Sequence, residues 1–205
     1  CKKDKIPQRK ALKTIEKDIS AAQEIKKSSF IAYLAPLASF EALRAQLRRQ
    51  HPKARHIVWA YRALNEPGQI VENSSDDGEP KSTAGAPCLN ALRGAELINA
   101  AVLVVRYFGG ILLGTGGLIK AYKESTRAAL QTAELEALIP QIIFRATADY
   151  AQMSNLYNYC QRVGAQILEQ EVDWQCRLRA SVAQEHFTQL QSLLVQHQIQ
   201  VQAEE

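Results

Sequence analysis

Two glycine-punctuated stretches hold the residue types that could do chemistry. Between Gly109 and Gly117 five of nine positions are glycine, directly after the apolar run Ala100–Val105 and Arg106-Tyr107-Phe108. Gly109, Gly110, Gly114, Gly116 and Gly117 suit positions where φ is positive or where another group approaches the backbone closely. With Thr115, Lys120 and the start of a helix, their N–H groups make a natural anion site. The same glycines also suit a loop that only packs tightly. The loop matches neither of two phosphate motifs. Thr115-Gly116 stands where a Walker A loop requires Lys-Ser/Thr, and Ile119 stands where a dinucleotide fingerprint requires its third glycine.

The second stretch, Asp76-Asp77-Gly78-Glu79-Pro80, sets three carboxylates in a tight turn ahead of Thr83-Ala84-Gly85. Clustered carboxylates can bind Mg²⁺ or serve as acid and base. They can equally hold a turn and cap the next helix. Arg55-His56, at the start of a strand, offers a phosphate contact, a proton carrier, or a histidine merely satisfied in place. Cys88, Cys160 and Cys176 lack any CxxC or metal-ligand spacing, and no Ser/His/Asp or Cys/His set can be assembled. The expectation is a binding protein rather than an enzyme, with no catalytic residue, cofactor or metal.

The elements that position these stretches follow from periodicity. Extended segments are predicted over Thr14–Lys26 and Ser29–Leu34, with a turn at Lys26-Lys27-Ser28, after a polar N-terminus expected to fray. Ser39 is predicted to cap a helix running to Gln50, with Phe40, Leu43 and Leu47 on one face and Pro52 as its stop. Strands follow over His56–Tyr61 and Gln69–Asn73, joined by a turn at Asn65-Glu66-Pro67-Gly68, and then a short helix over Pro87–Arg93. The Ala100–Val105 run reads as a buried strand, and the glycine loop leads into a helix starting near Leu118 and ending at Thr132.

Pro140 marks a boundary, after which the pattern starts afresh. Strand Gln141–Asp149, helix Ala151–Val163 closed by Gly164, strands Ala165–Glu171 and Trp174–Ser181, helix Ala183–His197 and strand Ile199–Val201 give the order β-α-β-β-α-β. That order is the ferredoxin-like split βαβ arrangement. The predicted organisation is therefore a basic, flexible extension over 1–16, an N-terminal domain over 17–137 and a ferredoxin-like domain over 141–205.

Composition bounds the function. With 46% hydrophobic and 22% charged residues the chain is globular, and no apolar run reaches the roughly 18 residues of a membrane span. The first residues are charged and polar, so no secretory signal is read from them. Free thiols fit a cytoplasmic setting. Residues 1–62 carry 15 Lys+Arg against 5 Asp+Glu, and the remainder 10 against 16. A basic first third points to a polyanion partner, or to a solubilising tail around Lys2, Lys3, Lys5, Arg9 and Lys10.

Ser75-Asp76-Asp77-Gly78-Glu79-Pro80, Thr83-Ala84-Gly85, Val105-Arg106-Tyr107-Phe108-Gly109-Gly110 and Leu113-Gly114-Thr115-Gly116-Gly117-Leu118 together resemble the signature of the IMPACT family, in its bacterial YigZ type. Lys26-Lys27-Ser28 with Phe30, and His51-Pro52 through Arg55-His56, fit as well, over residues 17–205. Lys81-Ser82 departs from the pattern, since the family usually has a small residue and glycine there. The resemblance implies an α+β chain. Its first part would be a ribosomal-protein-S-five domain-two-like α/β sandwich, and its second a ferredoxin-like domain akin to one of elongation factor G. The family's eukaryotic relatives restrain a starvation-sensing kinase of translation initiation through a ribosome-bound partner.

Two functional expectations follow. The first is a non-enzymatic translation- or stress-related protein that binds RNA, the ribosome or a protein partner in translation control, and no membrane. The second is a small-molecule phosphate or nucleotide enzyme. In it Asp76, Asp77 or Glu79 would hold Mg²⁺, Lys120 and the loop amides would hold phosphate, and His56 would carry protons. Under either, ligand contact falls in the N-terminal domain, the C-terminal domain adds RNA- or partner-binding surface, and Lys120→Ala weakens anion binding. Gly116→Val is expected to damage folding if Gly116 has a positive φ.

Overall fold

The computed structural model describes residues 11–65 and 68–204. The chain divides into two compact units, Cys1–Leu138 and Ile139–Glu205. The basic tail residues up to Lys10, and Glu66-Pro67 of the predicted turn, lie outside the described residues.

The first unit is built on a five-stranded sheet. In chain order its elements are β1 (Lys13–Thr14), β2 (Ile19–Ile25), β3 (Ser28–Pro36), α1 (Phe40–Gln50), β4 (His56–Leu64), β5 (Ile70–Ser75), α2 (Gly85–Gly94), β6 (Ala100–Tyr107), α3 (Gly114–Thr132) and β7 (Glu136–Ala137). The sheet order is β2-β3-β6-β4-β5, antiparallel throughout. β6 is central, and its continuous apolar run reflects burial on both faces. Ala100, Val102 and Val104 pack in the core beneath α2 and α3, while Ala101, Leu103 and Val105 pack with Phe40, Leu43 and Leu47 of α1. The layers are one helix, a sheet and two helices. His51, at the end of α1, ties the helix to the sheet between the hydroxyls of Tyr33 (3.1 Å) and Tyr107 (2.8 Å).

Three local features differ from expectation. Residues 11–16 are anchored rather than frayed: Lys13–Thr14 pairs with β7, the Lys13 amide donates to the Glu96 carbonyl, and Ile15 joins the core. Ser39 sits at the α1 N-cap without a side-chain hydrogen bond, because a 3₁₀ turn over Leu37–Ser39 leads into the helix. α3 begins at Gly114, a full turn before Leu118. Glycine's poor helix propensity disfavours that start. The buried stripe Leu118, Ala121, Tyr122, Ser125, Thr126 and Ala129 supplies the packing that overrides it.

The second unit runs β8 (Gln141–Asp149), α4 (Met153–Arg162), β9 (Gln166–Val172), β10 (Gln175–Ala183), α5 (Gln184–Gln196) and β11 (Gln200–Ala203). Its sheet order, β11-β8-β10-β9, with antiparallel neighbours, is the ferredoxin-like arrangement. Phe144, Ala146, Leu178 and Val182 alternate onto the face covered by Leu156, Cys160, Phe187, Leu190 and Leu194. The β9–β10 turn falls at Asp173-Trp174, one residue later than predicted, where the Asp173 carboxylate accepts from the Gln175 amide (2.8 Å). Among the described residues no helix is long and apolar enough to cross a membrane.

Candidate functional site

Arg106 lies near the end of β6, in step with Val102 and Val104 and therefore on the face toward α3. Its Nη1 donates to Glu79 Oε1 at 2.5 Å, and the Tyr122 hydroxyl, from the buried stripe of α3, donates to the same oxygen at 2.7 Å. The side chains of Arg106 and Glu79 are 9% and 3% exposed. The guanidinium also rests against the rings of Phe30 (5.6 Å) and Phe108 (5.8 Å). Burial, and then the negative charge of Glu79, push the Tyr122 hydroxyl far above its ordinary range, so it remains a donor. Arg106 Nε, although buried, has no hydrogen-bond partner.

The carboxylate turn is divided among three tasks. Asp76 caps α2, accepting from the amides of Ser82 (2.7 Å), Ala84 (3.0 Å) and Gly85 (2.8 Å). Asp77 turns the other way and accepts from the Ile57 amide (2.8 Å) and Arg48 (3.1 Å). Glu79 points inward to Arg106. These contacts match the alternative in which the carboxylates hold the turn and cap the next helix, rather than the one in which Asp76, Asp77 or Glu79 holds Mg²⁺. Left-handed backbone makes the divergence possible, with Asp77 at φ 45°, Gly78 at 89° and Ser82 at 63°. Ser82 itself takes the glycine-favoured conformation. The Thr83 hydroxyl closes the turn onto the Pro80 carbonyl (2.7 Å). At Gly85 a Cβ would lie 2.9 Å from the Ser75 carbonyl, so only glycine fits.

The glycines of the second stretch are not equivalent. Gly109 is a packing residue: a Cβ there would fall 1.9 Å from the Lys27 carbonyl oxygen. That carbonyl is presented by the two-residue β2–β3 turn, in which Lys26 and Lys27 both have positive φ. Gly110 and Gly114, at φ 83° and 69°, steer the chain into α3. Gly116 is helical rather than positive in φ, with open space where a Cβ would go. Its predicted sensitivity to valine therefore lacks its premise. The first turn of α3 has neither a side-chain cap nor an acidic residue, which leaves its amides without the usual intrachain acceptors.

The two stretches meet. Gly78, Glu79 and Pro80 from the carboxylate turn, Gly114 and Thr115 from the start of α3, and Arg55, His56 and Arg106 line one cleft of about 420 Å³. Phe108, Leu112, Leu113 and Leu118 form its apolar wall. His56 Nδ1 donates to the Asp77 carbonyl (2.7 Å), fixing the tautomer that leaves Nε2 without a protein partner among the described residues. Lys120 is exposed on α3 and does not line the cleft, and neither do Gly109, Gly110, Gly116 and Gly117. Sequence reasoning missed Tyr122, whose signal was its place four residues after Leu118 on the buried stripe, and the apolar wall. Cys88 is not a candidate nucleophile, because complete burial pushes its thiol up to about 12.

Similar proteins are known for both the sequence and the fold. The Impact N-terminal domain family matches residues 26–130, a span that contains every cleft residue. An IMPACT family member of Haemophilus influenzae is 42% identical over 151 residues, covering 72% of this chain and 73% of that protein. IMPACT family member YigZ of Escherichia coli is 39% identical over 143 residues, covering 67% and 69%. A crystal structure described only as that of a hypothetical protein has 30% identity and a TM-score of 0.75, covering 96% of this chain and 98% of its own. The chain therefore belongs to the IMPACT family, as a bacterial member of the YigZ type.

Proposed function

We propose that this chain is a regulatory protein of translation that binds RNA or the ribosome through the cleft of its first unit, without catalysing a reaction. One observation carries the reading: both signature stretches converge on a cleft whose floor is a buried arginine and whose rim is Arg55 and the open start of α3. Cations and free amides gathered around one space suit a phosphate-bearing partner. The carboxylates that a phosphate-transfer enzyme would need for Mg²⁺ are committed to the fold. The translation setting follows from what the family resemblance implies.

Sedimentation with ribosomes over a salt series tests the proposal. The parent chain co-sediments at low salt and is released steeply as salt rises, because phosphate contacts displace counterions. Arg55→Ala weakens binding and flattens the salt slope by about one unit, whereas Lys120→Ala, outside the cleft, leaves both near the parent values. No co-sedimentation with ribosomes and no binding to ribosomal RNA, even at low salt, would overturn it.

A further inference from the structure

We infer that the cleft is built for a nucleoside monophosphate unit, either free or as the 5′-phosphorylated end of an RNA strand. The inference rests on the reading that this cleft is where the chain meets its partner, and it names the group recognised there. Two independent features mark the phosphate position. The 19-residue helix α3 opens onto the cleft at Gly114 and Thr115 with no cap and no acid in its first turn. Beneath lies Arg106, which lines the cleft and is more than nine-tenths buried; its Nη1 is bound to Glu79, and its Nε, itself buried, has no protein partner among the described residues.

Charge decides which anion. Two guanidinium groups, Arg55 and Arg106, face one carboxylate, Glu79, and the helix start adds roughly half a positive charge. The surplus is about one and a half charges. A phosphate monoester carries about −1.5 to −2 at neutral pH and matches it. An internal phosphodiester or a carboxylate, each with a single charge, leaves part of it unmet. A terminal phosphate is therefore favoured over the backbone of a continuous strand.

The wall decides what the phosphate is attached to. Phe108 is 46% exposed and Leu112 84% exposed, side by side with the cationic floor. Leaving them in water is unfavourable, and a flat heterocycle would cover both. Phe108 is also one of the two rings that flank the Arg106 guanidinium, so a base stacked on it stays within one nucleotide of the phosphate position. A volume of about 420 Å³ suits one nucleotide rather than a duplex groove.

Calorimetric titration of the full chain with AMP, ribose 5-phosphate and inorganic phosphate tests this, alongside an eight-nucleotide RNA carrying either a 5′-phosphate or a 5′-hydroxyl. The expected order is AMP tighter than ribose 5-phosphate and inorganic phosphate, with the 5′-phosphorylated strand at least ~10-fold tighter than the hydroxyl strand and displaced by AMP. Phe108→Ala weakens AMP by ~10-fold and leaves ribose 5-phosphate unchanged. Thr115→Asp puts a carboxylate in the first turn of α3, so it raises thermal stability while abolishing AMP binding, which separates loss of the site from loss of the fold. If both RNA strands bind equally and AMP neither binds nor competes, the nucleotide assignment fails while the RNA reading stands. If AMP binds but neither RNA nor ribosomes do, the RNA reading fails and the free nucleotide is the ligand. Inorganic phosphate binding as tightly as AMP would overturn the assignment of a base.

Discussion

Glu79 and Arg106 are 27 positions apart in the sequence and 2.5 Å apart in the fold. Their ion pair fastens the carboxylate turn to the central strand, and both side chains are more than nine-tenths buried. Breaking such a pair from one side costs about 3–5 kcal/mol, because the remaining charge stays buried. Glu79→Leu is expected to destabilise the first unit by that order. Adding Arg106→Met should restore part of the loss. Urea denaturation followed by Trp59 fluorescence, in a Trp174→Phe background, measures it. A loss below about 1 kcal/mol for the single substitution would show that the pair is solvated.

Gly109 and Gly116 should respond to alanine with opposite signs. At Gly109 the added methyl collides with the Lys27 carbonyl, and a backbone shift of the β2–β3 turn is required. At Gly116 the methyl enters open space in a helix, where alanine is preferred over glycine by about 1 kcal/mol. Thermal unfolding of the two variants checks this: Gly109→Ala lowers the midpoint and Gly116→Ala raises it. A lowered midpoint for Gly116→Ala would contradict the open surroundings described for that position.

Asp76 accepts from three backbone amides, so Asp76→Ala leaves the start of α2 and the Ser82 turn without their acceptor. Loss of a capping side chain costs about 0.5–2 kcal/mol, and the third bond places the expected loss toward the upper end. Asp76→Asn, which keeps an acceptor oxygen, should lose less. Amide exchange at Ala84 and Gly85 provides the local readout, and unchanged protection in Asp76→Ala would refute the capping role.

Alkaline pH should weaken the fold before neutral pH does. Burial pushes Cys88 up to about 12 and Cys160 up to about 11, and Tyr122 is raised for the same reason. A group whose folded value is raised contributes stability that is complete below its unfolded value. That contribution is lost as pH climbs through the folded one. For the two thiols the window opens near pH 9 and extends to about 11 for Cys160 and about 12 for Cys88. Urea midpoints are expected to hold from pH 6 to 8 and to fall above 9, less so in Cys88→Ala. Ready alkylation of Cys88 in the native protein at pH 7.5 would show that it is not buried.

The sequence by itself determined the elements and their families of contact. β6 was legible because a strand covered on both faces must be apolar at every position. The βαββαβ unit was legible because its helices and strands each keep one apolar face at the right period. The signature stretches were legible as places where glycine and acid are needed. What most of these residues do there was decided by tertiary structure. Asp76, Asp77 and Glu79 are near neighbours in the chain, yet left-handed backbone at Asp77 and Gly78 sends them to α2, β4 and β6 in turn. Arg106 and Lys120 look alike as cations near the glycine loop. The pleat of β6 buries the first under α3, and the pitch of α3 turns the second to solvent. The Asp76 contacts are local, 6 to 9 positions along the chain, and its capping role could be read from the sequence. Ile57 and Arg106, the partners of Asp77 and Glu79, lie 20 and 27 positions away, so only the packed fold could assign them.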